Sequence, residues 1–419
     1  MQIYLDYSAT TPPYPEVIAL MQRVMAEQWG NPASIHEWGQ RSSLVVEQAR
    51  IQIAELLNAS PESLVFTSGG TEADNLAILG VAQQYRRPQH VIISSVEHSA
   101  IWKTASRLEA MGWQVTQLPV DGWGRVDPKE LQTALQPNTV LVSIIYGQSE
   151  VGTIQPIHQL GTIVQAWRHQ YGYDTLFHTD AVQVVGRCPI AVQQLPVDLL
   201  SLASHKLYGP QGVGALYVRP GVELMPLLSG GGQEFQLRSG TPMVPNIAGF
   251  GLAAQLALGD MAQEVPRLQR LRDRLFEELI DHPWLIPTGD RLNRLPHHVS
   301  FCLRPEIAAD LYVPQTHALG TGRNLVTGKN LVTGKNIVRQ MNLAGIAISS
   351  GSACNSGKTI ASPVLQAMGY DDSTAQTGIR LTLGRETTEA DVEWTAIVLR
   401  QILSRFHLKP SFTPCRLAT

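Results

Sequence analysis

Short apolar runs alternate with longer amphipathic stretches along the chain before residue 250. Residues 63–68 (SLVFTS) lead into GGTEADNLAILGVAQQY, residues 90–95 (HVIISS) precede EHSAIWKTASRLEAMG, and residues 139–146 (TVLVSIIY) precede IHQLGTIVQAWRHQYG. A brief apolar run predicts a buried strand, and apolar residues recurring at helical spacing predict a helix packed on it. Repeated in this order, the pairs predict βα units around a mostly parallel sheet covered on both faces. Near residue 250 the rhythm changes. AGFGLAAQLALGDMAQEVPRLQRLRDRLFEELIDH predicts one long helix, after which HHVSFCL, GIAISS and IRLTLG read as strands separated by helical or irregular segments. The expected architecture is therefore α/β, with a large domain over 12–254 and a smaller α+β domain made from 1–11 and 255–419. LVTGKN at 325–330 is copied at once at 331–336. So short a tandem copy is no solenoid repeat, and it is expected to lengthen a surface loop.

Composition narrows the picture. The chain has 419 residues, 44% hydrophobic and 16% charged, which suffices for a sizeable core and more than one domain. A formal net charge of -3 supplies no electrostatic footprint for nucleic acid or an anionic membrane. No run reaches the roughly 18 apolar residues of a membrane span, and MQIYLDYSATTPPYP lacks the basic-then-apolar layout of a signal peptide. A soluble, intracellular protein is expected. The four cysteines, Cys188, Cys302, Cys354 and Cys415, are too scattered for a disulfide framework or a zinc site, so no metal is expected.

Open parallel sheets bind ligands beyond the carboxyl ends of their strands, so candidate chemistry is sought there. In TSGGTEADN (67–75) two glycines and Thr71 turn into a helix, with Thr71 and Asp74 spaced as a capping box; free N–H groups there suit a phosphate. By itself such a turn merely starts a helix. Asp180 follows the apolar run of LFHTDAVQ, where a lone aspartate is ordinarily a cap or loop residue. Lys206, in SHKLYGP, follows the apolar run VDLLSLAS, and an ammonium seldom sits where solvent is excluded without a task. Cys354 lies in the Gly/Ser-rich AISSGSACNSGKT; a cysteine is usually a small buried hydrophobe, but this one has only small or polar neighbours. Arg380, in GIRLTLG, reads by itself as a surface arginine. Combined, a lysine for a Schiff base, an acid for a pyridine nitrogen and a phosphate turn describe a pyridoxal-phosphate site.

From Tyr4 to about Val392 the chain resembles the cysteine desulfurases of the nitrogen-fixation and iron–sulfur assembly type. The segments that carry the resemblance are YLDYSATTP, GNPASIHEWG, FTSGGTEADNLAI, VEHSAI, EVGTIQPI, HTDAVQ, SHKLYGPQGVGALYV, GGGQE, RSGTP and SSGSACNSG. The resemblance implies the pyridoxal-phosphate fold of aspartate aminotransferase and a homodimer that turns L-cysteine into L-alanine. It makes Lys206 the Schiff-base lysine and Cα-proton carrier, His98 a catalytic histidine that stacks on the ring and assists proton transfers, Asp180 the partner of the ring nitrogen and Gln183 that of the ring oxygen. Gly70, Thr71, Ser204 and His205 would hold the phosphate, with Thr241 reaching in from a second subunit. Arg380 would bind the substrate carboxylate. Cys354 would take the sulfur as a persulfide and pass it to an acceptor protein for iron–sulfur or thio-cofactor assembly, in the cytoplasm. Four departures accompany the match: Ser149 stands where an asparagine usually contacts the ring oxygen, Ala203 replaces a serine, Phe235 replaces a common arginine, and LVTGKN is duplicated. These leave open a related cystine or selenocysteine lyase, an aminotransferase, or a weakened enzyme acting as a partner in sulfur transfer. Cys415 would be a relay thiol or an incidental cysteine of the tail.

Overall fold

The computed structural model describes residues 2–309, 311–312, 332–351 and 361–408. A short strand β1 (Ile3–Tyr4) and two helices, α1 (Pro15–Glu27) and α2 (Glu37–Leu57), precede the main sheet. The sheet consists of β2 (Leu64–Thr67), β3 (His90–Ser94), β4 (Gln114–Leu118), β5 (Thr139–Ser143), β6 (Leu176–Asp180), β7 (Leu199–Ala203) and β8 (Gly214–Val218). Its order is β2-β8-β7-β6-β5-β3-β4. Only β8 runs against its neighbours, so β2, β3, β5, β6 and β7 end at one edge. Both faces are covered, as the continuous apolar runs require: every residue of β3, β5, β7 and β8 is buried. The helices α3 (Gly70–Ala82) and α4 (Ser99–Ala110) start directly beyond β2 and β3.

A 37-residue helix, Val244–Ile280, runs through the division expected at 254/255. Its first part, through Ala257, packs into a core with α1, α2 and one sheet face. From Leu268 onward it joins a second core built on β9 (Leu285–Pro287), β10 (His298–Leu303) and the strand Ile379–Thr382. Strand β1 belongs to this second core too, pairing in parallel with Ile346–Ala347. One expectation changes. The second LVTGKN copy is structured from Val332 onward: Val332 is 1% exposed, Thr333 caps the helix Gly334–Leu343 in a reciprocal box with Asn336, and Gly334 lies against the Gly378 carbonyl. The capping chemistry of Thr-Gly-Lys-Asn makes it a helix start rather than loop filler. The first copy lies outside the described residues.

The edge strand β2 is finished by a buried ion pair rather than another strand. Arg50 of α2 donates to the Leu64 carbonyl at 2.6 Å, while Glu234 accepts from the Phe66 N–H at 2.8 Å. The two side chains meet at 2.8 Å with 4% and 6% exposure. Glu234, Phe235 and Gln236 all have positive φ (46°, 57° and 67°), a costly backbone held in place by this pairing. Phe235 sets its ring 5.2 Å from the Arg50 guanidinium carbon. Removing one partner of a buried pair strands the other charge. Arg50→Leu is expected to cost about 3–5 kcal/mol in urea unfolding, far beyond the loss at the exposed pair Arg41–Glu37.

Candidate active site

The shared strand edge brings the sequence candidates together. Asp180 is the last residue of β6, and β7 runs into a single turn, Ser204–Lys206. His98 is the N-cap of α4, its Nδ1 accepting the Ala100 N–H at 3.2 Å. Gly70 opens α3, where an added Cβ would meet Val182 Cγ2 at 2.8 Å, so only glycine lets the turn sit this close to β6. The capping box expected between Thr71 and Asp74 does not form. Gly69, with φ +154°, is the N-cap, and the residue reaching back is Glu72, whose carboxylate accepts the Ser68 N–H at 2.6 Å. Thr71 is exposed within the first turn, and Asp74 points inward, 1% exposed. The first bond of this helix is Ala73 N–H to the Gly69 carbonyl, so the amides of Gly70 and Thr71 precede the ladder and face outward as anion donors.

Lys206 is solvated by backbone. Its Nζ donates to the carbonyls of Ser8 (2.6 Å) and Ala9 (2.8 Å), on the segment that follows β1. Burial and the Arg380 charge lower its pKa to about 8, against the pull of Asp180 and Asp6. Tyr208, with φ +65°, holds the turn after the lysine: its N–H donates to Thr11 Oγ1 at 2.7 Å and its hydroxyl accepts the Arg385 N–H at 2.9 Å. His205 faces Thr10 Oγ1 at 3.2 Å, and burial lowers its pKa to about 4. Burial raises the pKa of Asp180, while His98 and the Val182 N–H (2.9 Å) favour its charged form. His98 is pushed down by burial.

Ser204 Oγ and Gln183 Oε1 are among the buried polar atoms that have no hydrogen-bond partner among the described residues. Gln183 spends its Nε2 on the Ser8 carbonyl at 2.9 Å. The Gln183 orphan, the uncapped start of α3, the lysine and the buried aspartate fit pyridoxal phosphate: amides for the phosphate, an amine for the aldehyde, a carboxylate for the ring nitrogen. The expectation for Ser204 changes: its Oγ lies against Gly209, beside Ala253, and it is the Cβ of Ala203, which has no hydroxyl to offer, that faces Gly70. Arg380 is not the surface arginine of its plainest reading. It is 5% exposed, bonded to Asp6 Oδ1 (2.7 Å) and the Ser149 carbonyl (2.8 Å), with Nε unpartnered among the described residues. Ser149 engages the site through that carbonyl, which His298 Nε2 also meets at 3.1 Å. Thr241 is exposed on the surface before the long helix. Cys354 and Cys415 lie outside the described residues. Cys188 and Cys302 are unsuited to nucleophilic work, because burial raises both thiols, Cys188 to about 11 and Cys302 further.

A model of the class V aminotransferase family matches residues 3–394. The chain belongs to that family. Among curated members of known name, "Cysteine desulfurase IscS" of Dictyoglomus turgidum is 41% identical over 408 residues, covering 96% of this chain and 95% of the relative. Human "Cysteine desulfurase" is 39% identical over 398 residues, 94% of this chain and 80% of that protein. A solved "NifS-like protein" superposes with a TM-score of 0.84 at 32% identity, covering 96% of this chain and all of its own. The α/β fold is thus that of the family, whose members use pyridoxal phosphate.

Several residues around the site were given no role by the sequence, although some lie in segments that carry the resemblance. Asp6, Ser8 and Ala9 act through one carboxylate and two carbonyls, and any residue has the carbonyl. Arg187, 4% exposed and donating to the Lys206 carbonyl at 3.2 Å, looks like any loop arginine. Glu97 is legible as an acid at a strand end, and Asp74, which the sequence suggests only as half of a capping box, is legible as an acid set within apolar helical sequence. With its amine near pKa 8, Lys206 exposes its nucleophilic form as pH rises through about 8 rather than about 10.5. Reductive alkylation of the cofactor-free protein by a small aldehyde should therefore label Lys206 with a midpoint near pH 8, ahead of the surface lysines.

Proposed function

We propose that this chain is a cysteine desulfurase that binds pyridoxal phosphate between Lys206, Asp180 and the start of α3. It moves sulfur from L-cysteine to Cys354 as a persulfide and on to an acceptor protein for iron–sulfur or thio-cofactor assembly. The observation that carries this reading is the gathering, at one sheet edge, of a largely buried lysine, a buried aspartate and an unpartnered Gln183 oxygen, in a chain about 40% identical to named cysteine desulfurases over nearly its whole length.

In this reading Gly70, Thr71 and His205 bind the phosphate, Gln183 and Ser149 face the ring oxygen, and His98 stacks on the ring. Bound there, the cofactor serves as an electron sink for the bonds at the substrate Cα. Asp180, whose charged form the Val182 N–H and His98 favour against the upward push of burial, would keep the proton on the ring nitrogen. Lys206 Nζ takes the Cα proton as the neutral amine, a form that its lowered pKa makes accessible near neutral pH. Arg380 binds the substrate carboxylate through Nε and an Nη proton left free by Asp6 and Ser149. The Cys354 thiolate then attacks the substrate sulfur: an S–S bond forms, the Cβ–S bond breaks, and proton return leaves alanine.

Residues 12–254 form the cofactor domain in this proposal, and 1–11 with 255–419 the smaller domain that carries the cysteine loop. The active form is a cytoplasmic homodimer in which Thr241 reaches the partner's phosphate. Supporting the dimer, the α1–α2 connection and α2 expose Trp29 (69%), Ile35 (93%), Trp38 (51%) and Leu44 (71%), an apolar surface of the kind that partners cover. Among the described residues no helix is long and apolar enough to cross a membrane.

The test is an assay of alanine and sulfide from L-cysteine with a reductant. Equal formation of both, abolished in Cys354→Ala and Lys206→Ala, is the expected result; alanine without dependence on Cys354, or a protein inert towards cysteine, would sink it. Arg380→Lys keeps the charge but loses the fork. It should raise KM for cysteine by about 10- to 100-fold, the range for losing a hydrogen bond to a charged group.

A further inference from the structure

Asp74 sits in the apolar run ADNLAIL of α3, yet its side chain points at the sheet and is 1% exposed. One carboxylate oxygen of Asp74, one of Asp180 and one ring nitrogen of His98 all lie within 4.8 Å of one another. The proposed site therefore holds two buried carboxyls side by side. Their surroundings differ. Asp180 has the Val182 N–H at 2.9 Å and the electrostatic support of His98 and Lys206. Asp74 has one neutral donor, the Ser201 hydroxyl, and its Oδ1 has no hydrogen-bond partner among the described residues. The nitrogen within ion-pair range is His178 Nε2, at 3.8 Å. That histidine offers no charge: it lies between Ser143 Oγ (2.8 Å) and Ser201 Oγ (3.0 Å), and burial pushes its pKa down to about 3. From the connection between β3 and α4, Glu97 adds a third acid. Its Oε1 accepts from the Ser94 hydroxyl and, at 2.8 Å, from the Ile145 N–H, and burial raises its pKa to about 8.

Two carboxylates in one water-poor site cannot both ionise, and the proton settles where the anion is least well solvated. We propose that Asp74 is a positioning residue that remains protonated, so that the buried acid cluster carries its negative charge on Asp180 alone. The value of this to the reaction rests on Asp180 being the partner of the ring nitrogen. A second adjacent charge would raise the proton affinity of Asp180 and compete with the ring for the proton it must hold. The same neutrality lets α3 present its amides to a phosphate without an added anion beneath them. Burial and Asp180 both push the Asp74 carboxyl well above the ordinary carboxylate range, in agreement with the geometry.

The test reads the proton directly, in cofactor-free protein. With aspartate carboxyl carbons labelled by 13C, one resonance should keep its protonated position through pH 7 and disappear in Asp74→Asn. Glutamate is unlabelled, so Glu97 does not contribute. Stability supplies an independent measurement. An acid whose pKa is raised in the folded state opposes folding at pH above its unfolded value, and the cost vanishes once both states are protonated. The urea midpoint of Asp74→Asn relative to wild type should therefore rise between about pH 4 and pH 7. Absence of any protonated aspartate resonance at pH 7 in wild type overturns the proposal even if the variant fails to fold, as does a stability difference independent of pH. The reading of Asp180 is tested separately, by the absorption spectrum of cofactor-loaded Asp180→Asn. An unchanged spectrum there would remove the stated benefit of Asp74's neutrality without altering its protonation result.

Discussion

A buried ammonium must be solvated by the protein, and much of the architecture around Lys206 meets that requirement. The strand β7 is wholly buried, and the turn that follows it leaves Lys206 only partly open to water. Two carbonyls, Ser8 and Ala9, take the place of water. Those carbonyls are available because the N-terminal segment is fixed at both ends. Before them, β1 pairs with Ile346–Ala347; after them, Thr11 binds the His205 carbonyl through its N–H (2.9 Å) and hydroxyl (3.0 Å). The first residues of the chain thus belong mechanically to the second core and chemically to the site of the first.

The same segment joins the other groups. Ser8 receives Gln183 on the carbonyl that Lys206 uses, donates its N–H to Thr382 Oγ1 at 2.9 Å, and through its hydroxyl meets His297 Nε2 at 3.2 Å. Asp6 holds Arg380, which borders the Ser149 carbonyl. Displacing this segment would therefore disturb lysine, glutamine and arginine together. Crowding also explains the electrostatics. Lys206, His98 and His205 are all pushed towards neutrality, first by burial, and Asp180 is the acid with the most support for a charge. Low dielectric makes each remaining charge more effective, and proton transfer groups work best near the operating pH.

Much was legible from local sequence. The βα rhythm follows from side-chain burial on a two-sided sheet, so Asp180, Lys206 and Gly70 were placed at strand ends by apolar runs alone. Helix beginnings were less secure. Thr71 and Asp74 had the spacing of a capping box, but the close approach of Gly70 to Val182 and the reach of Glu72 started the helix two residues earlier. The second LVTGKN copy reads as loop because repetition says nothing of packing, whereas Thr333 and Val332 start a helix against the second core.

By itself the sequence determined the alternation of strands and helices, the chemistry available at each strand end, and a family resemblance spread along the chain. These depend on neighbours a few residues away, or on motifs read in order. Tertiary structure alone decided that Arg380 meets Asp6 across 374 residues, that two backbone carbonyls from residues 8 and 9 hold the lysine, and that Asp74 lies against Asp180. Such contacts depend on how two cores are joined by one long helix and one returning segment. Burial, which sets the proton affinity of every group in the site, exists only after that joining is complete.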